Sequence, residues 1–275
     1  MSTLYTYSHN NLLISHSLDE HPDTNKFPMH AHDSNEIFYF ISGHGKYAVE
    51  GNMYDLYPGC IMIMRANETH KLHIEPDLPY ERIVINFAPS IIMPLDPEMH
   101  LLESFLDRPN GQWNRYSPDE LDFDAGKYIK GMILPKESEY NQRLAITSRL
   151  ICLLYDLSTH FHKTRQKETS NTPRDMIADV VDYINTNLFG DWNLDMLSAH
   201  FYISKSYLNR IFKNSTGCSI WNYVLIKRLM VARESIRNGT PITTVYRACG
   251  FNDYSTFFRR YRDRFGVSPK DDKPH

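Results

Sequence analysis

The chain has 275 residues, 41% of them hydrophobic and 23% charged, which allows two cored domains and excludes a disordered or fibrous protein. Its formal net charge of −3 argues, taken alone, against a nucleic-acid partner. The cysteines Cys60, Cys152, Cys218 and Cys249 have no paired spacing, so no disulfide framework is expected and a reducing cytoplasm fits.

Residues 10–90 read as strands and turns. The apolar runs 37–41, 45–50, 60–64 and 82–87 are separated by the turn signals Ser42-Gly43-His44-Gly45, Glu50-Gly51-Asn52 and Tyr57-Pro58-Gly59. Short strands at this spacing predict a small barrel or double sheet. His30, His32 and Glu36 precede the first run, and His70 follows later. Alternate residues of an extended chain share a face, so His30 and His32 can point the same way. With Glu36 and His70 they offer three nitrogens and a carboxylate, a set suited to a divalent first-row metal. His-x-His-x3-Glu-x6-Gly with a later His resembles the cupin barrel signature, although Arg65 and Asn67 replace its usual Pro and Gly. Three readings stand together here: a small-molecule site, a metal site, or structural histidines. Phe38, Tyr39, Phe40, Tyr47 and Tyr54 can pave a sugar-sized pocket or simply form core, with Phe38 and Tyr47 taken with the histidines as ligand-binding candidates.

From about residue 94 the pattern turns helical. Ser117-Pro118-Asp119-Glu120 has the form of a capping box with Pro at the first helical position. A longer helix is predicted over about 137–162. Its Ile146, Leu150, Leu153, Leu157 and Phe161 recur at 4-3-4-4 spacing, widened by Leu144, Ile151 and Tyr155. That stripe either packs on its own barrel or pairs in part with a second subunit. Residues 163–173 are polar throughout and end in Pro, which reads as a linker.

Charge divides near that linker. Residues 1–173 carry 15 Lys/Arg against 23 Asp/Glu, whereas residues 174–275 carry 15 against 10. An acidic half joined to a basic half suits a sensor fused to a nucleic-acid binder. Helices are predicted at about 174–188, 194–200, 204–214, 219–237, 242–248 and 254–264, with a stub after Pro269. In 194–214, Leu194, Leu197, Phe201, Leu208, Ile211 and Phe212 face a core, while Ser206, Arg210 and Lys213 share the outer face beside Asn209. In 240–265, Thr240 is placed to cap and Pro241 to start a helix, and Gly250 to end it. Phe257, Phe258, Tyr261 and Phe265 then face a core, while Ser255, Arg259 and Arg262 share the outer face. A helix with one face for a core and one for phosphates and base edges suits the major groove. Ile220, Val224, Leu229, Ala232 and Ile236 make the segment between the two motifs a connecting helix.

These residues carry a close resemblance. Tyr207-Leu208-x-Arg210-x-Phe212-Lys213, Gly217, Arg228-x-x-x-Ala232, Ile242, Gly250-Phe251, Ser255-x-Phe257 and Phe265-Gly266-Val267-Ser268-Pro269 resemble the DNA-binding domain of the AraC/XylS family of bacterial transcription regulators. The resemblance implies a reader of double-stranded DNA. Its base-contacting positions match Lys205, Ser206, Asn209 and Arg210 in the first unit and Tyr254, Ser255 and Arg259 in the second. Lys213, Arg260 and Arg262 are assigned to phosphate. Tyr246 stands where the family has a small residue, which predicts a splayed second unit or a compensating gap. The ending SPKDDKPH lacks the family's aromatic-Arg pair, which predicts a less rigid one.

The expected protein is α+β. A cupin-like sensing and dimerisation domain spans 1–162, and a DNA-binding domain with helix-turn-helix motifs at about 194–214 and 241–264 spans 174–275. It is expected to be a cytoplasmic, homodimeric activator without enzymatic activity, controlled by a small-molecule effector, with RNA polymerase as a partner and no membrane association. The alternatives are a metal-dependent cupin enzyme with a basic appendage and an architectural protein that binds DNA by charge alone.

Overall fold

The computed structural model describes residues 1–165, 176–190 and 193–272. The N-terminal half holds nine strands: β1 (Ser2–His9), β2 (Leu12–Asp19), β3 (Asn35–Ser42), β4 (Gly45–Val49), β5 (Asn52–Asp55), β6 (Ile61–Met64), β7 (His70–Ile74), β8 (Tyr80–Phe87) and β9 (Arg115–Tyr116). They form a six-stranded sheet in the order β1-β2-β8-β3-β6-β9 and a three-stranded sheet in the order β5-β4-β7. β1 lies outside the span predicted to hold strands. It is an edge strand whose side chains are mostly exposed, so it lacks the apolar run that marked the others.

β3 is the central element and is buried along most of its length. Its alternation sends Phe38 and Phe40 between the sheets with Tyr47, Leu72, Ile74 and Tyr80. Ile37 and Tyr39 point the other way, into a core shared with the helices, so Tyr39 cannot line the barrel interior with Phe38 and Phe40.

Three helices complete this half: α1 (Glu103–Leu106), α2 (Ala125–Ile133) and α3 (Glu139–Arg165). Ser117–Glu120 is a turn and not a helix start. The Ser117 amide does donate to the Glu120 carboxylate at 3.0 Å, but α2 begins later, capped by Asp124. Ile146, Leu150, Leu153, Leu157 and Phe161 of α3 are fully buried on their own sheet, while Leu144 and Tyr155 stay exposed. Of the predicted linker, residues 163–165 are the last turn of α3 and the rest lies outside the described residues.

The C-terminal half is helical: α4 (Met176–Thr186), α5 (Leu194–His200), α6 (Lys205–Thr216), α7 (Ile220–Arg237), α8 (Ile242–Ala248) and α9 (Tyr254–Phe265). Asn193, Ser204, Ser219 and Asp253 cap α5, α6, α7 and α9 with side-chain oxygens. Thr240 caps nothing. The N-cap position of α8 falls on Pro241, without a side-chain hydrogen bond. α7 is buried on two sides, joining one core with α4–α6 and a second with α8 and α9.

Candidate nucleic-acid interface and sensor site

Helices α5 and α6 form one helix-turn-helix unit, and α8 and α9 form another. In α6, Leu208 and Phe212 are buried, which turns Ser206, Arg210 and Lys213 to solvent and leaves Asn209 half-buried beside them. The Arg210 guanidinium lies over the Tyr207 ring at 5.2 Å, a stacking that holds it extended on the surface. Lys205 is exposed but paired with Asp195 at 2.6 Å. In α9, Phe257 and Tyr261 are buried, and Tyr254, Ser255, Arg259, Arg260 and Arg262 are exposed. Phe258 and Phe265, assigned to the core from their spacing, are only half-buried.

Arg228 of α7 bridges the segment after α4 and the turn of the second unit. It donates from Nε to the Leu188 carbonyl and from Nη1 to the Gly250 carbonyl, both at 3.0 Å. Gly250 has φ of +74°, and a Cβ there would meet the Arg228 guanidinium at 2.7 Å, so both the turn and this clamp require glycine.

The second unit is not splayed. Val245, Cys249, Phe257 and Tyr261 close a shared core, and Tyr246 lies half-buried at its edge, tilted over Phe257 with ring centroids 6.3 Å apart. The tail is fastened by Asp272, whose carboxylate accepts from Arg233 at 2.7 Å, Arg237 at 2.8 Å and Tyr261 at 2.9 Å. That buried carboxylate takes over the anchoring for which an aromatic-Arg pair was expected.

The histidine cluster sits at the mouth of the double sheet. Glu36 is the second residue of β3 and His70 opens β7, on the faces that look between the sheets. His30 and His32 lie in the irregular segment before β3 and not on a strand, although His30 pairs with His70 as a single antiparallel bridge. One ligand nitrogen from each of His30, His32 and His70 lies within 4.8 Å of the other two. His32 Nε2 is 2.9 Å from Glu36 Oε2, and His70 Nε2 is 4.0 Å from the same oxygen. Tyr47 donates to the other carboxylate oxygen at 3.2 Å. Phe38 and Tyr47 are packed together with ring centroids 4.9 Å apart, in the core between the sheets.

Charge in the cluster is set by burial and pairing. Burial, reinforced by His30, pushes the His70 imidazole down to about 3, so it is neutral near pH 7. Burial opposes the Glu36 carboxylate too, but the His32 hydrogen bond and the neighbouring rings outweigh it and hold Glu36 at about 2. Burial also disfavours charge on His32, but the bond to Glu36, the Glu36 charge, the Ser34 carbonyl and Asp33 together overcome it, so the His32 pKa is raised.

Several residues that join the two halves were not singled out from the sequence. Glu50, in the β4–β5 turn, is fully buried and left-handed with φ of 46°. Its carboxylate accepts from Lys227 of α7 at 2.9 Å, from Tyr223 of α7, from Asn185 of α4 at 3.2 Å and from Asn110 at 2.8 Å. Burial disfavours that charge, but Lys227, the Tyr223 hydroxyl and the Thr69 amide together outweigh it, so the Glu50 pKa is lowered. The next residue, Gly51, lets α4 approach: a Cβ there would lie 3.0 Å from Val181. Asp33 pairs with Arg237 and, at 3.7 Å, with Arg233. The contacts that cross between the two halves join residues at least 130 positions apart in the chain, and no local pattern announces them.

Comparison with known proteins agrees with this architecture. Residues 197–273 match the family described as helix-turn-helix domain, and residues 17–105 match the family described as AraC-like ligand binding domain. The chain is 22% identical over 253 residues to the HTH-type transcriptional activator RhaS of Mannheimia succiniciproducens, covering 89% of this chain and 88% of that protein. It is 23% identical over 274 residues to the RhaS activator of Shigella sonnei, covering 94% and 96%. Among solved structures it is similar to ToxT from Vibrio cholerae, with 13% identity, a TM-score of 0.41, and 95% and 97% of the two chains covered. No helix among the described residues is long and apolar enough to cross a membrane. With a ligand-binding domain of AraC type ahead of two helix-turn-helix units on one connecting helix, the chain belongs to the AraC family of transcription regulators.

Proposed function

We infer that the chain is a sequence-specific activator of transcription whose N-terminal domain takes an effector. The observation that carries this is the pair of outward stripes, Ser206-Arg210-Lys213 on α6 and Ser255-Arg259-Arg262 on α9, each backed by buried apolar residues of the same helix. Arg210 has two donors for bidentate contact with guanine, and Asn209 has the donor and the acceptor that adenine requires. Lys213, Arg260 and Arg262 supply phosphate contacts, and Lys205 does so after release from Asp195. Tyr254, Ser255 and Arg259 are assigned to the second half-site.

The relatives bear the name of transcriptional activators, which supports activation through RNA polymerase in the cytoplasm and a regulator with no enzymatic role. The exposed Tyr140, Leu144 and Tyr155 give α3 an apolar outer edge, which we assign to a homodimer contact. Sedimentation of the full chain at operator-binding concentrations checks it, and a monomer there would remove the assignment.

Binding to DNA is tested with a duplex selected from a random pool by the full chain. Arg210→Ala is expected to cost about 1–3 kcal/mol on the selected duplex and to relax sequence preference. Lys213→Ala is expected to weaken selected and random duplexes alike and to reduce the salt slope by about one. Equal loss for Arg210→Ala on both duplexes would show that it contacts only phosphate.

A further inference from the structure

The two helix-turn-helix units turn on the same backbone motif. α5 ends at His200 and α8 at Ala248, and the second residue beyond each end is left-handed: Tyr202 with φ of 55° and Gly250 with φ of +74°. In the first unit the Tyr202 amide donates to the Ala199 carbonyl at 3.3 Å and the Ile203 amide to the Ser198 carbonyl at 3.1 Å. In the second the Gly250 amide donates to the Arg247 carbonyl at 2.9 Å and the Phe251 amide to the Tyr246 carbonyl at 3.0 Å. This pair of bonds ends a helix on a left-handed residue, and glycine takes that conformation without strain. Tyr202 is the only non-glycine residue of the described helical half with a positive φ.

Nothing among the described residues uses the ring that stands at this strained position. Tyr202 is 94% exposed, the most exposed large apolar side chain among them. Its side chain has no hydrogen bond, ion pair or ring contact with any of them. The flanking residues fix its direction. Phe201 packs edge-on against Tyr183 with ring centroids 5.9 Å apart, and Ile203 packs against the core of the first unit. The Ser198 hydroxyl donates to the Ile203 carbonyl and holds the turn. With both neighbours turned inward, the Tyr202 ring is turned out. A strained and firmly held residue whose side chain adds nothing to packing points to a use outside the chain.

The position of Tyr202 identifies the partner. It stands two residues before Ser204, the N-cap of α6, so its Cα lies within about 7 Å of that cap. The first turn of α6 carries the exposed Lys205 and Ser206, main-chain N–H groups and the positive end of the helix dipole. That end meets the sugar-phosphate backbone when the stripe Ser206-Arg210-Lys213 lies in the major groove.

We propose that Tyr202 is a further DNA-binding residue, its phenol donating to a phosphate oxygen at the edge of the groove that α6 enters. This rests on the DNA-binding reading above but not on sequence specificity, because the phosphate is the same on every duplex. The hydroxyl is neutral, so the contact adds affinity and fixes the angle of α6 without releasing a counterion. Lys213 differs, since its charge enters the salt slope. In the second unit a Cβ at Gly250 would meet the Arg228 guanidinium, so the contact belongs to the first unit alone.

The test measures the full chain, Tyr202→Phe and Tyr202→Gly on the selected and the random duplex over a range of salt, with urea unfolding alongside. Tyr202→Phe keeps the ring and the strain and loses the donor. It is expected to lower affinity about threefold to tenfold on both duplexes, with the salt slope unchanged. Tyr202→Gly is expected to lower affinity at least as much while raising the urea midpoint, because the left-handed strain is relieved. Single methylphosphonates placed along the selected duplex are expected to reveal one phosphate that matters to the unsubstituted chain and not to Tyr202→Phe. Unchanged affinity in both variants overturns the proposal, and if transcription by RNA polymerase from the selected duplex falls all the same, the ring belongs to the polymerase. A lowered urea midpoint for Tyr202→Gly also overturns it, since the ring would then serve the fold. Loss confined to the selected duplex replaces the phosphate contact by a base contact. If the unsubstituted chain binds both duplexes equally, the sequence-specific reading falls and the losses in the two variants still establish the contact. A chain that binds neither duplex overturns both.

Discussion

At the residue scale, the interior holds a buried ion pair. Arg108 and Glu68 have completely buried side chains 2.6 Å apart. The Glu68 carboxylate also accepts from the Gly111 amide at 2.9 Å and from Asn114 at 3.1 Å. Burial would raise the Glu68 pKa, and Arg108 outweighs it and lowers it. Removing one partner leaves a stranded charge, so Arg108→Met is expected to cost about 3–5 kcal/mol in urea unfolding. The double variant with Glu68→Leu is expected to regain much of that, because the charge goes with its partner. A double variant no more stable than Arg108→Met would show that the pair matters through the loop bonds of Gly111 and Asn114. Neither residue stood out in the sequence, since an isolated Arg and Glu 40 positions apart look like ordinary surface residues.

At the element scale, the helical half was largely legible. Helical periodicity and capping chemistry are local, so the sequence alone placed α5 to α9 close to their observed bounds, and four of these five helices start at a side-chain cap. The errors came where local form was outweighed by packing. Ser117–Glu120 makes its capping-box bond without a helix, because the turn leads on toward the buried start of α2 at Ala125. Tyr246 was expected to splay α8 and α9 or to need a compensating gap, and its ring lies at the edge of their core against Tyr254 and Phe257. These two views predict opposite outcomes for Tyr246→Ala. Relief of a splay would raise the melting temperature, whereas loss of the aromatic contacts is expected to lower stability by about 1 kcal/mol. Thermal unfolding of the full chain followed by tyrosine absorbance decides between them.

At the scale of the whole molecule, the barrel and the helices are held by a few buried polar contacts. Glu50 is the clearest. Its position in a two-residue turn favours Asn or Gly, yet a glutamate occupies it in a left-handed conformation. The structure accounts for this through the carboxylate, which holds Lys227, Tyr223 and Asn185 of the helical half. Glu50→Asn is therefore expected to relax the turn and leave the barrel folded, while weakening docking by about 3 kcal/mol. Faster hydrogen exchange in α7 with unchanged exchange in β3 and β8 is the expected result, and equal loosening of both would place the role of Glu50 inside the barrel.

By itself the sequence determined that there is a strand-rich acidic half and a helical basic half, that the latter carries two reading units, and which of their faces look outward. These properties follow from periodicity, caps and charge within windows of about 20 residues. Only the tertiary structure decided that the α3 stripe is the chain's own core, that the histidines gather at the barrel mouth, and that Asp33 and Glu50 grip α7. Those outcomes depend on partners brought together from distant parts of the chain, and a residue's neighbours along the sequence carry no information about them.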